Sequence, residues 1–250
     1  MSSKIKAILF DKDGTLFHYG SVWGSVIADS LKHKVPTGNL SEEKSEECLL
    51  ELEKIVGIDR EGNSYKDGIL FRHDKVIECS ARLLFLILKY RLRPIASIKA
   101  FLSLVDRADH GLKEKLESYD FSKTTEVIER CHEKGYILGI VTNDKKDSVS
   151  MFLEKMDPNG RIKFIEAGDG DSKRKPNPEA ALKFMKNHGI RREELCIVGD
   201  TIIDMQFAKR ASAGRRIALL SGSGDEKNLR KLSDAIYYDI EGILKDPVLF

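Results

Sequence analysis

Short apolar runs bounded by polar turns recur at both ends of this chain, and the long stretch between them follows a different period. Ile5–Phe10 is partly β-branched, too short for a helix, and breaks at Asp11-Lys12-Asp13-Gly14, so it predicts a buried strand running into a loop. Runs of the same kind stand at Ile137–Thr142, Lys163–Ala167, Leu195–Gly199, Arg216–Leu220 and Ala235–Tyr238. Among them, apolar residues three and four apart predict helices at Thr125–Lys134, Lys146–Lys155, Pro178–His188, Asp204–Ala211 and Asp225–Leu232. Strand and helix in alternation predict an α/β fold, a mainly parallel sheet flanked by helices.

The first strand is cut off from its partners by about a hundred residues of helical texture. Helices are predicted at Val22–His33, Ser41–Val56, Lys75–Tyr90 and Pro94–Asp109, the last opened by a proline suited to a first helical turn. The chain therefore reads as one α/β core, residues 1–19 and 124–250, interrupted by an all-α cap, residues 20–123. Hydrophobic residues at 41% and charged residues at 33% describe a folded chain rather than a disordered one. The 42 basic and 40 acidic residues are interspersed to a net charge of +2, which gives no field for nucleic acid or an anionic membrane. Cys48, Cys79, Cys131 and Cys196 have neither metal-ligand nor disulfide-framework spacing. The longest greasy run, Leu83–Leu88, is far below the roughly 20 residues that span a bilayer, and no secretion signal is visible. A cytoplasmic protein is expected.

Open parallel sheets bind ligands beyond the carboxyl ends of their strands, which directs attention to four places. After the first strand come Asp11 and Asp13, with Gly14 and Thr15 forming a tight turn. After the second come Thr142, Asn143 and Asp144, able to hydrogen-bond an anion or simply to cap the next helix. The third is the basic loop Lys173-Arg174-Lys175-Pro176-Asn177-Pro178, in which a stiffly held lysine can offset nearby negative charge. The fourth is Asp200 and Asp204, four residues apart where a strand meets a helix. Taken one at a time, each is explained as well or better by a solvated turn, a cap or a surface charge. Taken together they supply the oxygen ligands that Mg2+ prefers and the charge neutralisation that phosphoryl transfer needs.

The sequences Asp-Lys-Asp-Gly-Thr, Val-Thr-Asn, Lys-Pro-Asn-Pro and Gly-Asp-Thr-x-x-Asp, in that order, resemble the motif set of the haloacid dehalogenase superfamily. The resemblance runs through nearly the whole core. The insertion between the first two motifs is similar to that of its helical-cap members, with phosphoglycolate-phosphatase-like proteins the nearest in character. It implies a Rossmann-like core with Asp11 as nucleophile and Asp13 as acid/base and backbone metal ligand. Gly14 and Thr15 would line the substrate loop, and Thr142 and Asn143 would contact the transferring phosphoryl group. Lys175 would balance charge, Asp200 would ligate Mg2+, and Asp204 would hold metal water or the lysine. An acidic residue at position 13 favours phosphoester hydrolysis, because a departing alkoxide needs a proton and a departing halide does not.

Substrate choice is expected from the cap, where Gly57–Asp74 is longer than a plain helix connection and contains Tyr65, Lys66, Arg72 and His73. Arg72 is the candidate contact there, although ordinary surface charge accounts for it as readily. His18, next to the first motif, is a weaker candidate. The loop Ser221-Gly222-Ser223-Gly224 cannot be told from a simple connection. The expected function is Mg2+-dependent hydrolysis of a small phosphorylated metabolite by a monomer or homodimer. The alternatives are a phosphomutase of the same superfamily and a non-catalytic binding module.

Overall fold

A computed structural model describes residues 5–18, 22, 26, 40–57, 76–97, 99 and 117–250. The chain divides into two compact units, one formed by residues 1–19 and 119–250 and the other by residues 20–118.

The first unit is built on six strands, β1 (Ala7–Phe10), β2 (Ile137–Val141), β3 (Ile162–Glu166), β4 (Leu195–Gly199), β5 (Arg215–Leu219) and β6 (Ala235–Tyr237). They lie in the order β3-β2-β1-β4-β5-β6, and every pairing is parallel. This is the Rossmann-like arrangement expected from the alternating pattern. β1 and β4 are buried at every position, as central strands covered on both faces must be. The edge strand β3 alternates buried and exposed residues. Because side chains alternate across a sheet, Ala7 and Leu9 share one face, where they cluster with Leu195, Ile197, Phe184 and Phe207.

Between residues 40 and 97 lie α1 (Glu42–Val56) and α2 (Val76–Lys89); in the first unit the helices are α3 (Ser122–Glu133), α4 (Lys146–Met156), α5 (Glu179–His188), α6 (Ile202–Ala211) and α7 (Glu226–Leu229). Their ends depart from expectation by up to three residues, α3 for instance starting at Ser122 rather than Thr125, and two of these shifts have local reasons. α6 begins at Ile202 rather than Asp204 because Thr201 caps it: its hydroxyl accepts from the Asp204 N–H at 3.2 Å, and the Asp204 carboxylate accepts from the Thr201 N–H at 3.0 Å. α7 stops at Leu229 instead of Leu232, and five residues on the Asp234 N–H already donates to the Arg216 carbonyl at 2.8 Å, bringing β6 in beside β5.

In the second unit α1 is capped by Ser41 and ends at Gly57, whose φ of 103° is the left-handed conformation that glycine adopts at no steric cost. α1 and α2 pack together, with Lys89 2.5 Å from Glu51. Residues 94–97 are helical, while the rest of the predicted Pro94–Asp109 helix, apart from residue 99, is outside the described residues. So are most of Val22–His33 and the whole of 58–75, which includes Arg72. Among the described residues no helix is long and apolar enough to cross a membrane.

Candidate active site

The sheet order reverses direction at β1, from which one half of the sheet continues through β2 and the other through β4. The crevice at the carboxyl ends of β1 and β4 is therefore the topological switch point. Asp11 leaves β1 there, fixed by its own N–H donating to the Val198 carbonyl at 2.9 Å. Asp200 leaves β4 alongside, and Asp204 comes up from the first turn of α6. Carboxylate oxygens of Asp11, Asp200 and Asp204 all lie within 4.8 Å of one another.

One cation stands among them. Lys175 is buried, with Nζ 2.5 Å from Asp11 Oδ1 and 2.6 Å from Asp204 Oδ1. Its backbone is clamped by Asn143, whose Oδ1 accepts from the Lys175 N–H at 2.8 Å while Nδ2 donates to the Lys175 carbonyl at 3.2 Å. The Asn143 amide is thus engaged at both ends in holding the lysine loop, and its second N–H is the one left for the phosphoryl contact expected of it. Asp204 is also committed on both sides, to Lys175 through Oδ1 and to Thr201 through Oδ2.

Three carboxylates against one ammonium leave excess negative charge in a buried place. Burial pushes the Asp11 carboxyl up to about 6, against the pull of Lys175, with Asp204 adding to the rise. Asp200 is held well above the usual carboxylate range by burial and by the charges of Asp11 and Asp204. Lys175 is raised as well. Burial would lower it, but Asp11 and Asp204 outweigh that and keep it firmly protonated.

Asp200 is gripped by the loop Ser221-Gly222-Ser223-Gly224, which by sequence alone cannot be told from a simple connection. The Ser223 N–H donates to Asp200 Oδ2 at 2.8 Å, and the Ser221 hydroxyl donates to the Gly14 carbonyl at 2.7 Å. A Cβ at Gly222 would stand 1.9 Å from Asp200 Oδ2, far inside any non-bonded carbon–oxygen contact. Gly14, at φ +81°, is pressed against the same carboxylate, and a Cβ there would meet it at 2.7 Å. The Thr15 hydroxyl reaches Asp200 Oδ1 at 3.5 Å, so Gly14 and Thr15 shape this wall of the site.

Asp13 is separated from the cluster. Its Oδ2 is 2.7 Å from the Nζ of Lys12, a buried lysine that the sequence reading passed over. Burial pushes the Asp13 carboxyl up to about 7, with the nearby Asp144 and Asp11 charges adding to the rise and Lys12 opposing it. Its side chain is not among the clustered ligand oxygens, which leaves only the backbone route by which it was expected to meet a metal. Thr142, at the end of β2, is buried and accepts from the Asp144 N–H at 3.1 Å. His18 donates its backbone N–H to the Tyr119 hydroxyl at 3.1 Å and its ring lies 5.9 Å from that of Tyr238, which is packing.

A parallel sheet with an acidic cluster and a buried lysine at its switch point defines an α/β protein with its charged residues gathered where such sheets bind ligands. The chain belongs to the haloacid dehalogenase-like hydrolase family, whose model matches residues 8–215. It is 31% identical over 94 residues to phosphoglycolate phosphatase of Aliivibrio fischeri, a match covering 38% of this chain and 41% of that protein. With phosphoglycolate phosphatase of Escherichia coli K12 it is 29% identical over 126 residues, 50% of this chain and 49% of the relative. The chain thus spans between two-fifths and half of the length of these curated relatives. Among solved structures, one described as a predicted phosphoglycolate phosphatase from Haemophilus somnus 129PT superposes with a TM-score of 0.66 at 21% identity, covering 98% of this chain and 99% of that one. A hydrolase from Pseudomonas syringae gives a TM-score of 0.56 at 18% identity over 96% and 97%. At such identities the two structures speak for the fold.

Proposed function

We propose that this chain hydrolyses a small phosphate monoester through an aspartyl-phosphate on Asp11. The observation that carries the reading is the division between two carboxylates two residues apart. Asp11 is gathered with Asp200, Asp204 and Lys175, while Asp13 is held aside by a different cation. Nucleophile and proton donor need such different settings.

An Asp11 carboxylate oxygen attacks phosphorus as the ester P–O bond breaks, and Asp13 gives its proton to the departing alkoxide. Water then attacks phosphorus, Asp13 takes a proton from it, and the bond to Asp11 breaks to release inorganic phosphate. The Thr142 hydroxyl donates to a phosphoryl oxygen, Lys175 keeps Asp11 oriented and offsets charge, and Asn143 braces Lys175. The donor set is all oxygen and carries unbalanced negative charge, which fits Mg2+ better than a thiophilic metal. Asp11, Asp200 and the Asp13 carbonyl would hold the ion, with Asp204 behind them on Lys175. When bound, it neutralises the charge that carboxylate and phosphoryl oxygens share. Residues 20–118 serve as the cap, and Arg72 is the substrate contact proposed within it.

That the relatives are phosphoglycolate phosphatases makes 2-phosphoglycolate the first ester to try. Purified protein with Mg2+ should release inorganic phosphate from at least one member of a panel of small phosphate monoesters, and chelation should stop it. Silence across the panel would sink the proposal. An isomerised hexose phosphate formed without net phosphate release would replace it with a phosphomutase.

Gly222→Ala tests the metal assignment separately. The added methyl has no room beside Asp200, so either the loop or the carboxylate must shift. Calorimetric titration should show Mg2+ binding at least about tenfold weaker, on the order of 1.4 kcal/mol. Unchanged affinity would remove Asp200 from the ligand set.

A further inference from the structure

Lys12 is one of the largest fully buried side chains in the protein, yet it carries a charge. Its stem and head pack on aromatic rings, with Nζ 4.9 Å from the centre of Phe152 and 5.9 Å from that of Phe17. A leucine or methionine would fill that space without the several kcal/mol that desolvating an ammonium costs. The charge therefore needs a reason beyond packing.

Its partners supply one. Nζ lies 2.7 Å from Asp13 Oδ2, 2.7 Å from Asp144 Oδ2 and 2.8 Å from Ser148 Oγ, so three acceptors meet the three N–H bonds of an ammonium. Ser148 in turn donates to Asp144 Oδ2 at 3.3 Å, which closes the network between the loop after β2 and the first turn of α4. Asp144 sits below the usual carboxylate range: burial opposes this, but the Lys12 charge prevails. Two of the three anchors are fixed in the scaffold. The third is the carboxylate that passes the proton.

We propose that Lys12 is a positioning residue for proton transfer, tethering Asp13 through Oδ2 to Asp144 and Ser148 so that its carboxyl meets the leaving-group oxygen. This deepens the phosphatase reading and rests on it. A positioned acid contributes typically 10²–10⁴-fold, and that contribution matters only where the leaving group needs a proton. An alkyl phosphate expels a strongly basic alkoxide. 4-Nitrophenyl phosphate expels a phenolate that departs without help.

The test is Lys12→Met, with kcat/KM measured for both esters, because kcat/KM covers the steps up to formation of the phosphoenzyme. The expected result is a loss of about 100-fold with the alkyl ester and of less than about tenfold with the aryl ester. Equal losses, or none, would overturn the proposal. Since Lys12→Met leaves Asp13 and Asp144 facing each other without a cation, Lys12→Met combined with Asp144→Asn is made in parallel to restore the charge balance. The same split between esters is expected of it. If neither variant folds, as read by circular dichroism, the lysine belongs to the fold and the proposal fails. Wild-type protein inactive on both esters would instead bring down the phosphatase reading, and the inference with it.

Discussion

Asp11→Asn protein is expected to turn over an aryl phosphate in Mg2+ at least ~10⁴-fold more slowly than wild type, the scale seen when a covalent nucleophile is removed. The amide keeps the shape of the carboxylate and an oxygen for Lys175 to bond, so the site is not dismantled. What it lacks is the negative charge that makes the oxygen a nucleophile. Stability should move little or upward, because one of three crowded acids loses its charge while Lys175 still has Asp204 at 2.6 Å. Thermal unfolding alongside the kinetics separates the two effects. A variant that folds as well as wild type and keeps its turnover would end the assignment of Asp11 as nucleophile.

Lys175→Met should be nearly as damaging to turnover and far worse for stability. Removing one partner from a buried charge network costs about 3–5 kcal/mol, since the groups left behind lose their counter-charge and stay desolvated. Here Asp11 and Asp204 would face each other and Asp200 with no cation between them. The loop itself should stay in place, because Asn143 grips the backbone of residue 175 and not its side chain. A divalent ion that binds only the folded site adds RT ln(1 + [L]/Kd) to stability, so millimolar Mg2+ should recover part of the loss in urea unfolding. Turnover should not follow, falling about 10³-fold even with Mg2+ present, because Asp11 is no longer oriented. Stability and rate both close to wild type would mean that Lys175 is a bystander.

How much of this could be read beforehand depends on how local each cause is. β1, β4 and the four motifs were legible because an apolar run ending in Asp, Thr or Gly is a statement about neighbours in sequence. The start of α6 was misplaced, at Asp204 instead of Ile202, although Thr201-Ile202-Ile203-Asp204 is a local capping pattern that could have given it. The duty of Gly222 was not legible, as the atom it must leave room for belongs to Asp200, on a different loop. Nor was that of Lys12, whose anchors Asp144 and Ser148 lie 132 and 136 residues further on. Asn143 looked like a phosphoryl ligand because its type and place suit one; its engagement with Lys175 depends on a loop 32 residues away. Contacts made across the sheet's carboxyl edge come from topology, and topology is not written in any single segment.

The position of β1 has a further consequence, for the order in which the molecule can assemble. Its register joins Ala7 to Ile137 on one side and to Leu195 on the other, so the strand bearing Asp11 is sealed only after two very long loops close. Closure entropy rises slowly with loop length, but folds dominated by such distant pairings form slowly. In a chain emerging from the ribosome, β1 waits first for β2 and then for β4. The cluster of Asp11, Asp200 and Asp204 therefore cannot form until β4 and the first turn of α6 have been made, so its two ends meet late in the chain's assembly.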